Sequence, residues 1–317
     1  MVLLGLSLQL HAQQAGYEVA FHQVFDNREY FTEYAFPQTI FGARLDGSLR
    51  FELDSSHAFF AGINYFYEHG STILALPPQV NLYYRYRSET FDMAMGSFPR
   101  KERLTFAPAF LHDTLQYYRP NVEGAFISYA EGPVEVSGFA DWTGRVSEER
   151  RETFLAGTNV KLHTGNFFLQ GAAIMYHNAR SYSPADHLPL QDNGIWSVLL
   201  GYSNGSREDA LTLETSAGFL SSWNRYRPDP VQWSRGMIFN IDMTYTFFGL
   251  KGVYYYGTPV DFTYGDPFYR SGNYGRLDLF ADPFRHPGVS SKIGWSLHAV
   301  PGEGVYHSQQ ILISVAF

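Results

Sequence analysis

Polar and apolar side chains alternate at a period of two through almost the whole of this chain. Leu211, Leu213, Thr215, Ala217 and Phe219 share one face of an extended segment, with Thr212, Glu214, Ser216 and Gly218 on the other. Met237, Phe239, Ile241, Met243 and Tyr245 oppose Asn240, Asp242, Thr244 and Thr246, while Val80, Leu82, Tyr84 and Tyr86 oppose Asn81, Tyr83, Arg85 and Arg87. Successive side chains of a strand point to opposite faces, so this pattern encodes strands with one apolar and one polar side. No segment carries a convincing helical period.

About sixteen strands are predicted, near 17–25, 39–53, 57–69, 79–87, 91–98, 122–130, 134–142, 153–163, 167–178, 194–203, 209–220, 237–246, 249–256, 274–281, 289–299 and 306–317. Most match or exceed the roughly nine to eleven tilted residues that cross a bilayer. The connections alternate in length. Asp54-Ser55-Ser56, Ser88-Glu89-Thr90, Glu131-Gly132-Pro133, Thr164-Gly165-Asn166 and Phe247-Phe248 are short and mostly carry tight-turn chemistry. Longer, Pro-rich and charged stretches fall between them, around 99–121, 179–193, 222–236 and 257–273. Short turns at one end and long loops at the other are the layout of a membrane barrel with both termini periplasmic, which demands an even strand number. The connection at 282–288 is long for a periplasmic turn.

Composition separates the membrane reading from the soluble one. Charged residues make up 17% of the chain, against roughly 25% in soluble domains. Aromatic residues also make up 17%, yet the mean hydropathy is −0.22. No later stretch approaches the roughly eighteen apolar residues of a membrane helix. A barrel reconciles these values, because only every second side chain meets lipid. Sandwiches and propellers also alternate, but Tyr65, Tyr67, Phe167, Phe168 and Tyr254 to Tyr256 stand near strand ends, where aromatic rings favour a membrane interface. The fold expected is therefore all-β: a transmembrane antiparallel up-and-down β-barrel of about 16 strands.

The start of the chain supports export. Val2 to Leu10 is a short apolar run followed by His11, Ala12, Gln13, Gln14 and Ala15, like the end of a secretory signal. The expected organisation is a leader remnant over 1–15 and a barrel over 16–317, with a long third outer loop near 99–121. There are no cysteines, which removes disulfides and thiolate metal sites. The net charge is −8 with no basic stripe, which argues against nucleic acid.

The last strand, Ile311-Leu312-Ile313-Ser314-Val315-Ala316-Phe317, ends an amphipathic pattern on a terminal Phe. This resembles the C-terminal assembly signal of Gram-negative outer-membrane proteins. The resemblance implies the bacterial outer membrane as location, with membrane lipid and the barrel-assembly machinery as partners. The whole layout is also similar to the sixteen-stranded general porins. That implies passive diffusion of small hydrophilic solutes, a third loop folded inward as a constriction, and room for a homotrimer. The short acidic loop motif of the best-known porins is absent. The segment Asp26-Asn27-Arg28-Glu29-Tyr30-Phe31, followed by Pro37-Gln38-Thr39, is similar to uncharacterised barrels of Bacteroidota type and implies no activity.

If the apolar strand faces meet lipid, Arg44, Arg50, Arg85, Arg87, Lys161, Arg276 and Asp278 point into the lumen, as do Asp46 and Glu52. A charge facing lipid at the midplane would cost roughly 2–4 kcal/mol. These residues are the expected pore lining. On the long loop, Leu104, Phe106, Phe110 and Leu111 are expected to pack on the inner wall, with Lys101, Glu102, Arg103 and Asp113 bordering the channel. The alternative is a solvated wall of internal ion pairs, and at the level of function a non-conducting barrel that anchors a surface or secretion complex. Packing of Tyr117, Tyr118, Trp223 and Trp233 into the lumen would favour that alternative.

An outer-membrane lipase or protease ranks below both. Ser203-Asn204-Gly205-Ser206 lacks a suitably placed His, and His69-Gly70-Ser71 is only a sequence neighbourhood. The histidines show no metal-ligand spacing. No enzyme activity, cofactor or metal is expected on this reading.

Overall fold

The computed structural model describes residues 14–317 apart from 102, 184 and 206–209. The expected leader thus lies almost wholly outside the described residues; Gln14 and Ala15, assigned with it, are strand residues paired with Glu52 and Phe51. The strands are β1 (Gln14–Glu29), β2 (Gln38–Glu52), β3 (His57–Glu68), β4 (Gln79–Arg87), β5 (Phe91–Pro99), β6 (Asn121–Glu131), β7 (Val134–Gly144), β8 (Thr153–Thr164), β9 (Phe167–Asn178), β10 (Gln191–Asn204), β11 (Leu211–Tyr226), β12 (Gln232–Tyr245), β13 (Phe248–Gly257), β14 (Asn273–Ala281), β15 (Arg285–His286), β16 (Val289–Val300) and β17 (Gly304–Ala316). Apart from the short β15, each pairs antiparallel with the strand next to it in the chain, and β1 pairs with β17, so the sheet closes on itself. The two-residue β15 only folds back on β16, while β14 pairs directly with β16; the closed barrel therefore has 16 strands. That small ladder also accounts for the long connection at 282–288.

Closure satisfies the backbone, and side-chain parity divides the wall into two surfaces. Leu45, Leu49, Ile63, Val80, Leu82 and Met95 are exposed on the outside. At inward positions Phe60, Leu155, Ile238 and Tyr255 are buried. The resulting barrel is bacterial outer-membrane in type, with its long loops at the outer end.

Two loops enter the interior from that end. The third outer loop, 100–120, carries a one-turn helix, α1 (Leu115–Tyr118). The seventh, 258–272, carries a short 3-10 turn at Pro267–Ser271. They bind each other: His112 N–H donates to Tyr264 O at 2.7 Å, and Asp266 N–H to Pro108 O at 2.8 Å. Their approach is so close that a Cβ on Gly265 would lie 2.2 Å from the Ala109 carbonyl oxygen. Phe110 and Leu111 from the first loop and Val260, Phe262 and Phe268 from the second join one buried apolar cluster. That cluster reaches Phe60, Tyr83 and Phe98 on one side of the barrel and Ile174, Ile195 and Leu220 on the other.

Polar clasps fix the third loop. Arg100 reaches across its base to the carbonyl oxygens of Arg119 and Asn121, both at 3.0 Å, and to the buried carboxylate of Asp141 at 2.5 Å. Arg44 donates from two nitrogens to the carbonyl oxygens of Gln116 and Tyr117, both at 2.5 Å, which places a cation at the helix C-terminus.

Replacing Gly265 with Val is expected to separate the two loops, because neither backbone can yield without losing the bonds between them. In a planar bilayer the native barrel is expected to give no stable current steps and Gly265→Val to give them, with heat-modifiable migration showing that the barrel itself persists.

Candidate functional site

Beneath the first outer loop, 30–37, lies a cavity of about 340 Å³. The wall contributes Arg28, Tyr30, Arg276 and His298, the third loop His112, Asp113, Thr114 and Tyr118, and the seventh Asp266 and Phe268. Phe36 of the first outer loop also lines it and is 71% exposed, so the cavity reaches the surface at the outer rim.

Strand parity explains who is present. On β1 the even residues face inward, which brings Asp26 and Arg28 to the outer end of the lumen; on β14 the same parity delivers Arg276 and Asp278. Arg28 donates to Asp26 Oδ2 at 2.6 Å and to Asp113 Oδ1 at 3.0 Å. Asp26 also accepts from Tyr117 Oη at 3.1 Å and from Gln310 Nε2 at 3.0 Å. Arg276 donates to Asp278 at 2.8 Å and lies 3.5 Å from Asp266 and 3.7 Å from Asp113. Two guanidiniums thus hold four carboxylates, and Asp113 bridges them.

His112 completes the arrangement. Its Nδ1 is 2.6 Å from the Thr114 hydroxyl oxygen, and its Nε2 is 3.4 Å from Asp113 Oδ1. A hydroxyl, an imidazole and a carboxylate thus stand in line, the three residue types from which nucleophilic sites are built. Burial opposes ionisation of Asp113, but Arg28, His112 and Arg276 outweigh it and hold the carboxyl well below the usual range. For Asp266 burial prevails over the pull of His112 and Arg276, and its carboxyl is pushed up. Their surroundings thus drive two neighbouring carboxyls apart in acidity, Asp113 down and Asp266 up. His298 is buried between Tyr30 Oη at 3.0 Å and Tyr274 Oη at 2.7 Å, stacked on Phe268, and supports the cavity wall.

A second such constellation sits deeper. Ser314 Oγ is 2.8 Å from His22 Nδ1, and His22 Nε2 is 3.4 Å from Asp46 Oδ2. It lies halfway down β1, near a cavity of about 410 Å³ that Tyr117 of the third loop also lines. A molecule arriving from the outer surface would meet the two loops first. Among the described residues, no group of His, Asp and Glu is arranged to hold a metal ion.

The residues expected to line a channel mostly hold the plug or each other. Arg44 clasps α1 and stacks over Phe66 at 5.2 Å. Arg50 lies 3.3 Å from both Glu18 and Glu52, Arg85 lies over Phe60 at 4.9 Å, and Arg87 pairs with Asp92 at 2.8 Å. Lys161 reaches Glu214 at 2.9 Å near the short-turn end. Arg276 and Asp278 instead belong to the outer cavity. On the loop, Lys101 lines the deeper cavity, Arg103 packs beside Tyr83 and Phe98, and Asp113 is the bridge described above. Glu102 lies outside the described residues. Phe110 and Leu111 are buried, with Leu104 and Phe106 packed against the same cluster. Tyr117 is buried inside, whereas Trp233 is 64% exposed on the outer wall. Phe317 is exposed at the end of β17, its N–H bonded to Val19 O at 2.9 Å.

The sequence model of the family described as Lipid A 3'-O-deacylase-type matches residues 9–285. The chain belongs to this family. Membership in a family of deacylase type overturns the expectation of a barrel without enzyme activity, which rested on the absence of a contiguous motif. Among solved structures it is similar to the outer-membrane expressed OmpT of Vibrio cholerae, with a TM-score of 0.60 at 10% identity over 96% of this chain and 97% of that one. OprB of Pseudomonas putida gives 0.54 at 8% identity, covering 96% and 94%. OprD of Pseudomonas aeruginosa gives 0.50 at 11%, covering 98% and 96%. At these identities the likeness is one of fold. No curated protein sequence matches the chain significantly.

Sequence reading missed Asp26, Arg28, His112, Thr114, Asp266 and His298. The available signals were the inward parity of Asp26 and Arg28 at the end of β1, and a single His on the longest loop.

Asp113 has its proton affinity lowered by folding, so its contribution is complete above the ordinary carboxylate value of about 4 and is lost as the pH falls towards the lower folded value. Proteolysis of the 100–120 loop is expected to be constant between about pH 8 and about pH 5 and to rise only below about pH 4. Asp113→Asn should expose the loop across that range.

Proposed function

We propose that this barrel hydrolyses an acyl ester of an outer-leaflet glycolipid of the lipid A type at the cavity around His112. The observation that carries the reading is the Thr114–His112–Asp113 geometry, in a cavity reached from the outer rim, within a chain of the deacylase-type family. His112 Nδ1 takes the proton of the attacking hydroxyl, and the hydroxyl at hand is that of Thr114. Asp113, kept anionic, holds the ring through Nε2 and stabilises the imidazolium. The oxyanion that forms on the ester carbonyl faces the guanidiniums of Arg28 and Arg276, the kind of preorganised charge that lowers such barriers. The sugar alcohol leaves with the proton held by His112, and water then releases the acyl group by the same base.

A passive diffusion channel draws less support. It needs a continuous aqueous lumen, whereas apolar contacts run from wall to wall through both loops.

The test is release of fatty acid from lipid A in mixed micelles, followed by mass spectrometry. His112→Asn is expected to lower kcat by about 10²- to 10⁴-fold, the usual worth of a general base. Thr114→Val should fall as far; retention of most activity would instead assign the attack to water. His22→Ala, in the deeper constellation, should leave the rate unchanged. A native protein that releases no fatty acid under conditions where the barrel is folded would sink the proposal.

A further inference from the structure

The outward face of the barrel is apolar almost everywhere, and on several strands its outer rim carries aromatic residues: Trp142 on β7, Trp233 on β12 and Tyr256 on β13 are all exposed there. Across β17, β1 and β2 the pattern breaks. By strand parity His307, Gln309, Asn27, Glu29 and Thr39 all point outward near the long-loop end. They sit side by side, Glu29 opposite His307, and Asn27 opposite both Gln309 and Thr39.

They form one network. Thr39 Oγ1 donates to Asn27 Oδ1 at 2.7 Å, and Asn27 Nδ2 donates to Glu29 Oε1 and to Gln309 Oε1, both at 3.0 Å. Gln309 Nε2 stands 2.7 Å from His307 Nδ1. One step deeper on the same strands are Phe25 and Phe41, whose rings meet edge to face at 5.8 Å, and Ile311. Polar groups at headgroup depth thus stand directly above an apolar surface at acyl-chain depth.

From this arrangement we propose that the network is a subsite for the sugar headgroup of an outer-leaflet glycolipid. The inference deepens the hydrolase reading and rests on it for the identity of the substrate. Charge selects the occupant. Among the described residues, Glu29 accepts from Asn27 alone and pairs with no cation, and the network contains no Lys or Arg. A phosphate would meet a carboxylate with no guanidinium to offset it. Sugar hydroxyls, which donate to carboxylates and amides and accept from amide N–H groups, match the set. Position agrees. The loop that joins β1 to β2 rises from this network, and its Phe36 lines the cavity of His112. A headgroup held at Asn27 would place its esters beside the mouth of that cavity.

The experiment places a photo-crosslinking residue at Val305, the next outward position above His307 and no part of the network. It is carried in the His112→Asn background so that lipid is not consumed. The barrel is reconstituted in phosphatidylethanolamine vesicles containing either deep-rough lipopolysaccharide or phosphatidylglycerol. The expected result is capture of the glycolipid over the phospholipid by about tenfold, the scale of one charge-assisted hydrogen bond. Asn27→Leu with Thr39→Val should reduce that capture by a similar factor while the folded, heat-modifiable band is kept. Equal capture of both lipids, or capture unchanged by the double substitution, overturns the subsite. Selective capture together with no fatty acid release by the native protein supports the subsite and overturns the reaction instead.

Discussion

In hydrocarbon a backbone N–H or C=O without a partner costs several kcal/mol, and this requirement underlies the rest of the structure. A sheet meets it only by closing. Here closure is the pairing of β1 with β17, which runs from Ala20 opposite Ala316 to Glu29 opposite His307. Once that seam is made, every strand residue has a fixed side, lipid or lumen. The charges on the wall then have one place to go: parity turns Asp26, Arg28, Arg276 and Asp278 inward, and their positions in β1 and β14 bring them together.

A ring of this size encloses more space than its own side chains fill, and the use of that space decides what the barrel can do. Two loops enter from the outer end and bond to each other across Gly265, and their apolar residues complete a core that belongs to neither loop nor wall. The plug gives the enzyme reading its physical basis. It holds His112 beside the charge cluster of β1 through the Tyr264 carbonyl. Arg44 and Arg100 serve this end by binding carbonyl oxygens of the loop, so their charge acts on the protein rather than on a passing solute.

The electrostatics of the site follow from the same enclosure. Four carboxylates around two guanidiniums cannot all be equally acidic where water is scarce. Asp113, in contact with both arginines and with His112, stays anionic. Asp266 has Arg276 at 3.5 Å but no contact with Arg28, and burial pushes its carboxyl up. The pair therefore sets a fixed negative charge beside an imidazole, next to a second carboxyl of higher proton affinity.

Alternation, turn chemistry and the amphipathic end at Phe317 are local properties, so the barrel, its antiparallel order and the placement of its sixteen strands were legible in the amino-acid sequence. So was the inward facing of Arg44, Arg85 and Arg276, because parity is a property of the strand itself. The site was not legible, for a definite reason. Thr114, His112 and Asp113 are neighbours in sequence, but their meaning depends on being folded against Arg28 and Arg276, and Arg28 lies 85 residues from Asp113 along the chain. The seventh loop, whose Tyr264 carbonyl fixes His112, has no periodic signal at all. Sequence by itself determined the wall, since one rule of alternation applied strand by strand is sufficient to build it. Only the tertiary structure decided that two loops enter the lumen and that a histidine stands at its mouth, because loop packing is a contact between distant segments that no local pattern records.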